Sequence, residues 1–199
     1  MKETIVQFGE GNFLRAFVDY FIDTLNKQGL YDGKVCVVQP LPKGMCEVLN
    51  AQNGKYNLFL RGVENGEKVD KQVKVESISR CVNPYEDFAA YMKIAENPDL
   101  RFVVSNTTEA GIEYLGTEKR EDQPAQSFPA KLTQLLAARY EAGLPGLIFL
   151  PCELIDDNAF YLKKYILQYG ELWDLGEGFA RWIEEENSFC NTLDRKSVV

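Results

Sequence analysis

The stretch Val6-Gln7-Phe8-Gly9-Glu10-Gly11-Asn12-Phe13-Leu14-Arg15-Ala16-Phe17 decides the fold. Its first residues continue Thr4 and Ile5 as a short run of β-formers, which predicts a buried strand from Thr4 to Phe8. A helical pattern opens at Asn12. Two glycines directly after a first strand permit a tight turn and let a pyrophosphate approach the backbone closely. The helix that follows points its unpaired N–H groups and positive dipole end at the phosphates. The usual fingerprint has a third glycine, which falls on Leu14 here. A glycine pair alone also fits a tight strand-to-helix turn with no ligand, so its meaning depends on the rest of the chain.

Outward from this turn, the helix is predicted from Asn12 to Gln28, with Gly29 as its stop. Phe13, Phe17, Phe21 and Leu25 recur at four-residue spacing and form one stripe, which leaves Asp19, Asp23 and Lys27 to the remaining surface. Lys34 to Gln39 reads as a second strand suited to the middle of a parallel sheet. Pro40, Pro42 and Gly44 break it, and a short helix follows from Met45 to Gln52. The runs YNLFLRGV and EKVDKQVKVESIS flank Glu64-Asn65-Gly66-Glu67. Asn-Gly between β-rich runs predicts an antiparallel hairpin, inserted in or added to the parallel sheet.

Strand-helix alternation then resumes. Helices are predicted from Pro84 to Glu96 with Asn83 as cap, from Pro129 to Ala142, from Asp156 to Tyr169 and from Glu177 to Asn187. Strands are predicted from Arg101 to Ser105 and from Gly146 to Leu150, with a last one from Ser188 to Leu193 and a polar loop from Glu113 to Ser127. This alternation implies an α/β fold, a doubly wound, mostly parallel Rossmann-type sheet carrying one hairpin. The chain reads as a single dinucleotide-binding domain over residues 1–199. That context turns the Gly9–Gly11 pair from a bare turn into a cofactor site.

Bulk properties remove other classes. The 199 residues carry 30 acidic and 22 basic side chains, a net charge of −8. Such a surface repels nucleic-acid phosphates and anionic lipids, so neither is expected as a partner. The sequence holds no apolar run long enough for a membrane span, and its start lacks the layout of a secretory signal. Cys36, Cys46, Cys81, Cys152 and Cys190 are scattered, with no CxxC pair, and read as reduced thiols of a cytoplasmic protein. The chain has no histidine. No metal site is expected, and a Ser-His or Cys-His nucleophile cannot be built from these residues.

Ligands of open α/β sheets sit at the C-terminal ends of the strands. Gln39 closes the second strand where an acidic residue often binds the ribose. It does not repel a 2′-phosphate, which leaves NAD and NADP both open. Asn106, Thr107 and Glu109 follow the RFVVS strand, and Cys152, Glu153 and Asn158 follow GLIFL. Each cluster alone also fits ordinary turn and cap chemistry. Glu184-Glu185-Glu186 reads as a solvated helix face.

Four blocks, in order, resemble the mannitol dehydrogenase family of long-chain polyol-specific dehydrogenases. GEGNFLRAF is similar to its G-x-G-x-F-x-R-A-F/H opening, SNTTEAGI to N-T-x-T-E-x-G-Y, PCELIDDNA to C-E/D-N-L-x-x-N-G, and NTLDRK to N-S-x-V-D-R-I. The VVQP strand end, RGVENGE and LPCELI look closest to members acting on sugar acids. The resemblance implies zinc-free hydride transfer between NAD and a sugar acid. It puts Gly9, Gly11, Asn12, Phe13 and Arg15 at the pyrophosphate and Gln39 at the adenosine. It puts Asn106, Thr107 and Glu109 near the nicotinamide ribose and Asn158 on the substrate side. Leu154 stands where many relatives have asparagine, which removes a donor to the reacting oxygen.

The resemblance implies a catalytic lysine in a C-terminal, mostly helical substrate domain, which is expected to lie beyond this sequence. NTLDRKSVV also lacks a residue expected between Leu193 and Asp194. The chain is therefore expected to bind cofactor and to turn over sugar acids negligibly, with the C-terminal domain as its natural partner. A related hexuronate or polyol dehydrogenase, or a non-catalytic dinucleotide-binding module, remains an alternative. A flavin or S-adenosylmethionine protein fits the glycine pair but not the four blocks.

Overall fold

A computed structural model describes residues 1–108 and 111–193. Six strands form one parallel sheet in the order β5-β2-β1-β6-β7-β8: β1 Lys2–Phe8, β2 Gly33–Val38, β5 Ile78–Val82, β6 Phe102–Ser105, β7 Ile148–Pro151 and β8 Ser188–Phe189. The chain runs outward from β1 through β2 to β5, then crosses back to β6. The order therefore reverses between β1 and β6, and loops diverge there to leave a crevice at the strands' C-terminal ends. The last strand, expected to reach Leu193, is confined to two residues.

Strand side chains alternate between two cores, as the pleat requires for a sheet covered on both faces. Ile5, Val35, Val37 and Val104 join Leu14 and Leu49 on one face. There lie helices α1 (Asn12–Ala16), α2 (Val18–Lys27) and α3 (Cys46–Ala51). Val6, Phe8, Cys36, Val38 and Phe149 join Leu132, Leu135, Ile166 and Trp182 on the other. That face carries α4 (Phe88–Met92), a 3₁₀ turn (Lys93–Glu96), α5 (Phe128–Glu141), α6 (Asn158–Leu172) and α7 (Gly176–Glu185).

The hairpin forms where Asn-Gly predicts it, and stands apart from the parallel sheet. Among the described residues, β3 (Tyr56–Glu64) and β4 (Glu67–Val75) pair only with each other, from Tyr56↔Val75 to Glu64↔Glu67. Asn65 and Gly66 both take positive φ, 52° and 84°, as the two-residue turn demands. A two-stranded ribbon is marginal alone in water, and its base is tied down instead. The Tyr56 hydroxyl donates to the Arg15 carbonyl at 2.5 Å, and the Glu76 amide donates to Asp23 Oδ1 at 2.8 Å.

Three local expectations need correction. The helix expected from Asn12 to Gln28 breaks at Phe17, whose φ and ψ are −114° and −80°. Asp19 and Asp23, assigned above to the surface, are 0% and 4% exposed, while Phe13, Phe17, Phe21 and Leu25 are 52%, 42%, 49% and 37% exposed. Leu14, Val18 and Ile22 form the row that meets the sheet, and the two aspartates beside it meet the hairpin base. The helix after β5 starts late, because Asn83 Oδ1 accepts from the Tyr85 amide in a local turn; Asp87 is the cap, accepting from the Ala90 amide.

Candidate functional site

Gly9 and Gly11 serve different purposes. Gly9 has φ of +120°, and a Cβ there would stand 2.6 Å from the Asn106 carbonyl oxygen, so the end of β6 requires glycine at this point. A Cβ on Gly11 would meet nothing within 4 Å among the described residues, because it faces the open crevice. Helix α1 has only five residues, so a long macrodipole is not available; what it offers is local. The amides of Asn12 and Phe13, exposed residues in its first turn, have no intrahelical acceptor. Leu14, at the third-glycine position, is buried and would touch a Gly9 Cβ at 3.4 Å.

Arg15 leans over this turn. Its Nη2 donates to Asn12 Oδ1 at 2.6 Å and its guanidinium lies 5.5 Å from the Tyr56 ring centroid. Its Nε is buried with no acceptor among the described residues. Below the turn, Gln7 Nε2 donates to the Gly9 carbonyl at 3.0 Å and to Asp19 Oδ2 at 3.3 Å. Burial pushes the Asp19 carboxyl up to about 7, against the opposing pull of Gln7 and Arg15.

Gln39 lies at the end of β2, but both ends of its amide are engaged inside the chain. Nε2 donates to the Leu41 carbonyl at 2.8 Å, and Oε1 accepts from the Cys46 amide at 3.0 Å. It thus shapes the 40–46 loop. Glu10, between the two glycines, reaches the same loop by accepting from the Met45 amide at 3.4 Å. A Cβ on Gly44 would stand 2.1 Å from Glu10 Oε1 and 2.6 Å from Gln39 Oε1. Neither contact is signalled by the glycine motif itself.

On the other side of the crevice, Asn106 fastens three strand ends. Its amide donates to the Phe8 carbonyl at 3.0 Å and its Nδ2 to the Cys152 carbonyl at 2.7 Å. Thr107 is held by Glu153, which is 1% exposed and was legible only as one polar residue after a strand. Glu109 lies outside the described residues. Asn158 is fully buried, its Nδ2 donating to the Pro151 and Glu153 carbonyls at 2.9 and 3.1 Å. It braces the loop after β7 from within.

Between α2 and the ends of β6 and β7 lies an open groove of about 580 Å³, lined by Phe13, Phe17, Phe21 and Leu25, by Val104, Leu150 and Leu154, and by Thr192 and Leu193. It is the part of the sheet's α2-side face that α1, α2 and α3 do not cover. The phenylalanine stripe is therefore one wall of an uncovered core. Among the described residues, no three His, Cys, Asp or Glu side chains converge as a metal site, and no helix is long and apolar enough to cross a membrane.

Comparison with known proteins agrees with this architecture. The family model described as the mannitol dehydrogenase Rossmann domain matches residues 3–196. An altronate oxidoreductase of Phocaeicola vulgatus is 50% identical over 195 residues, and one of Bacillus subtilis is 46% identical over 195 residues. Each alignment covers 96% of this chain and 41% of the relative. The fold matches that of Pseudomonas fluorescens mannitol 2-dehydrogenase, solved with NAD and D-mannitol, with a TM-score of 0.82 at 20% identity over 95% of this chain and 41% of that one. A D-sorbitol dehydrogenase matches with a TM-score of 0.78 at 22% identity. With the family's Rossmann model spanning nearly its whole length, this chain belongs to the mannitol dehydrogenase family.

Proposed function

We propose that this chain is the NAD-binding domain of an oxidoreductase that moves a hydride between the nicotinamide and a sugar acid, the altronate/tagaturonate pair. The observation that carries the reading is the Gly9–Asn106 approach at the point where strand order reverses, beside first-turn amides with no intrahelical acceptor and an Arg15 Nε with no partner among the described residues. That is a cradle for a pyrophosphate: donors aimed at an open space, with a cation alongside. The half-identical relatives named altronate oxidoreductase supply the substrate class.

In this reading the pyrophosphate rests on Gly11, Asn12 and Phe13, with Arg15 countering its charge. The adenosine lies toward β2, where Gln39 holds the loop that receives it. The nicotinamide lies toward β6 and β7, against Asn106 and Thr107. Bound there, the nicotinamide supplies or accepts the hydride. The chain's own residues hold and orient it, and we assign none of them the proton transfer. Leu154, 64% exposed at the groove, offers the reacting oxygen no hydrogen bond.

The proton-transferring group is assigned to polypeptide that the relatives carry beyond the matched stretch, since the chain spans only 41% of their length. The same polypeptide is the occupant proposed for the apolar groove. Thr192 and Leu193 line that groove. The chain alone is then a cofactor binder with negligible turnover. The free cysteines fit the reducing cytoplasm, where we place it.

The test is a parallel titration with NADH and NADPH, following energy transfer from Trp173 and Trp182. Saturable binding, lost in Gly11→Val, supports the reading, and the preferred nucleotide decides what Gln39 leaves open. A folded chain that binds neither refutes it. Sustained NADH oxidation with tagaturonate by this chain refutes the division of labour.

A further inference from the structure

Where β6 and β7 end, three donors converge on one buried carboxylate. Glu153 Oε1 accepts from the Thr107 amide and from Thr107 Oγ1, each at 3.0 Å, and Oε2 accepts from Ser105 Oγ at 3.0 Å. A carboxylate receiving three donors is arranged to be ionised. Burial raises its pKa above the ordinary range, and its own amide, Thr107 and Ser105 hold that rise in check. Glu153 also lines the groove, between Cys152 and Leu154. Its three donors seat it as a carboxylate directly behind Thr107, on the nicotinamide side of the proposed cofactor path, and at 1% exposure little water screens it.

The two redox forms of a nicotinamide cofactor differ by one charge at the ring. The oxidised ring is cationic and the reduced ring neutral. A carboxylate near the ring attracts the first and is indifferent to the second. We propose that Glu153 sets the balance between the two bound forms, favouring NAD over NADH by its charge while it positions Thr107. This rests on the NAD reading above. Hydrogen bonding alone would not do it, since a neutral residue holding Thr107 supports both forms equally. Unit charges about 12 Å apart at an effective dielectric near 20 shift an affinity by on the order of tenfold.

The experiment measures dissociation constants for NADH by fluorescence and for NAD by calorimetry, on the intact chain and four variants. Glu153→Gln keeps the shape and removes the charge; it should lower the NAD-to-NADH affinity ratio about tenfold. Glu153→Asp keeps the charge and should keep the ratio. Thr107→Val removes one donor to the carboxylate and should weaken both forms alike. Leu154→Lys sets a positive charge beside Glu153 at an exposed position, leaves the buried network intact, and should lower the ratio even where Glu153→Gln fails to fold. An unchanged ratio in Glu153→Gln and Leu154→Lys, or equal weakening of both forms, overturns the inference and leaves the NAD reading standing. Absence of binding by the unaltered chain overturns both.

Discussion

Gly9 and Asn106 meet backbone to backbone: the Asn106 carbonyl oxygen occupies the space where any other residue at position 9 would put its β-carbon, at 2.6 Å. The Asn106 amide meanwhile donates to the Phe8 carbonyl. The switch point of the sheet is therefore closed by glycine, and the crevice opens one step later, at Gly11. Gly9→Ala combines a clash with a φ of +120° and should cost about 2–4 kcal/mol of stability. Gly11→Val should cost under about 1 kcal/mol, since its side chain enters open space. Denaturant unfolding distinguishes the two, and equal losses would show that both glycines serve the turn alone.

Asp19 makes stability depend on pH in an unusual direction. Its carboxyl titrates near 7 in the folded chain against an ordinary value of 3.8, so between those values the folded state binds the extra proton. Stability then falls as pH rises from about 4 to about 7 and is flat above it as far as this group is concerned. The total loss is on the order of 2–4 kcal/mol. Asp19→Asn should flatten that slope and leave the chain more stable than the parent at pH 8. Urea unfolding at pH 5 and pH 8 decides it; a parent chain with no slope removed by the substitution would mean that Asp19 stays ionised.

Which of these features a sequence can disclose depends on the range of the forces involved. Gly9 and the strand beside it are local: the glycine, the β-run and the helix start are contiguous, so the turn is legible. The Asn65-Gly66 turn is legible for the same reason. The α2 stripe is half legible, because four-residue spacing says that Phe13, Phe17, Phe21 and Leu25 share a side but not which side faces inward. The parallel row Leu14, Val18 and Ile22 competes for the core and wins it. Asp19 and Asp23 are buried against Gln7 of β1 and against Ser77 and Glu76, the last two brought there by the hairpin's fold-back. Gln39 and Glu153 have the same character: their positions at strand ends are readable, while the loop and threonine they hold are brought to them only by the fold.

Arg139 shows how a distant partner converts a polar residue into core. It is fully buried in α5 and donates to the Pro145, Ala95, Asn97 and Leu100 carbonyls at 2.8, 3.2, 2.8 and 3.3 Å. These carbonyls lie on the return from the 3₁₀ turn into β6 and on the approach to β7. Arg139→Met keeps much of the volume but strands the acceptors, and should cost about 3–5 kcal/mol. Thermal unfolding measures it, and a loss below about 1 kcal/mol would mean that water takes over these carbonyls.

Phe17 and Phe21 are two of the groove-lining apolar residues left partly exposed. Their rings lie 4.7 Å apart at the groove wall and remain 42% and 49% exposed. Core phenylalanines lose about 3–5 kcal/mol on truncation. Here the loss in Phe17→Ser with Phe21→Ser should stay near 1 kcal/mol, because half of each ring gains nothing from folding. The same double change should abolish fluorescence of an apolar dye on the chain. It should also abolish capture of the separately produced remainder of the Bacillus subtilis relative, the part beyond its match to this chain. Retained capture would move the docking face elsewhere. Self-association of the unaltered chain, lost in the double variant, would make a second copy the occupant of the groove.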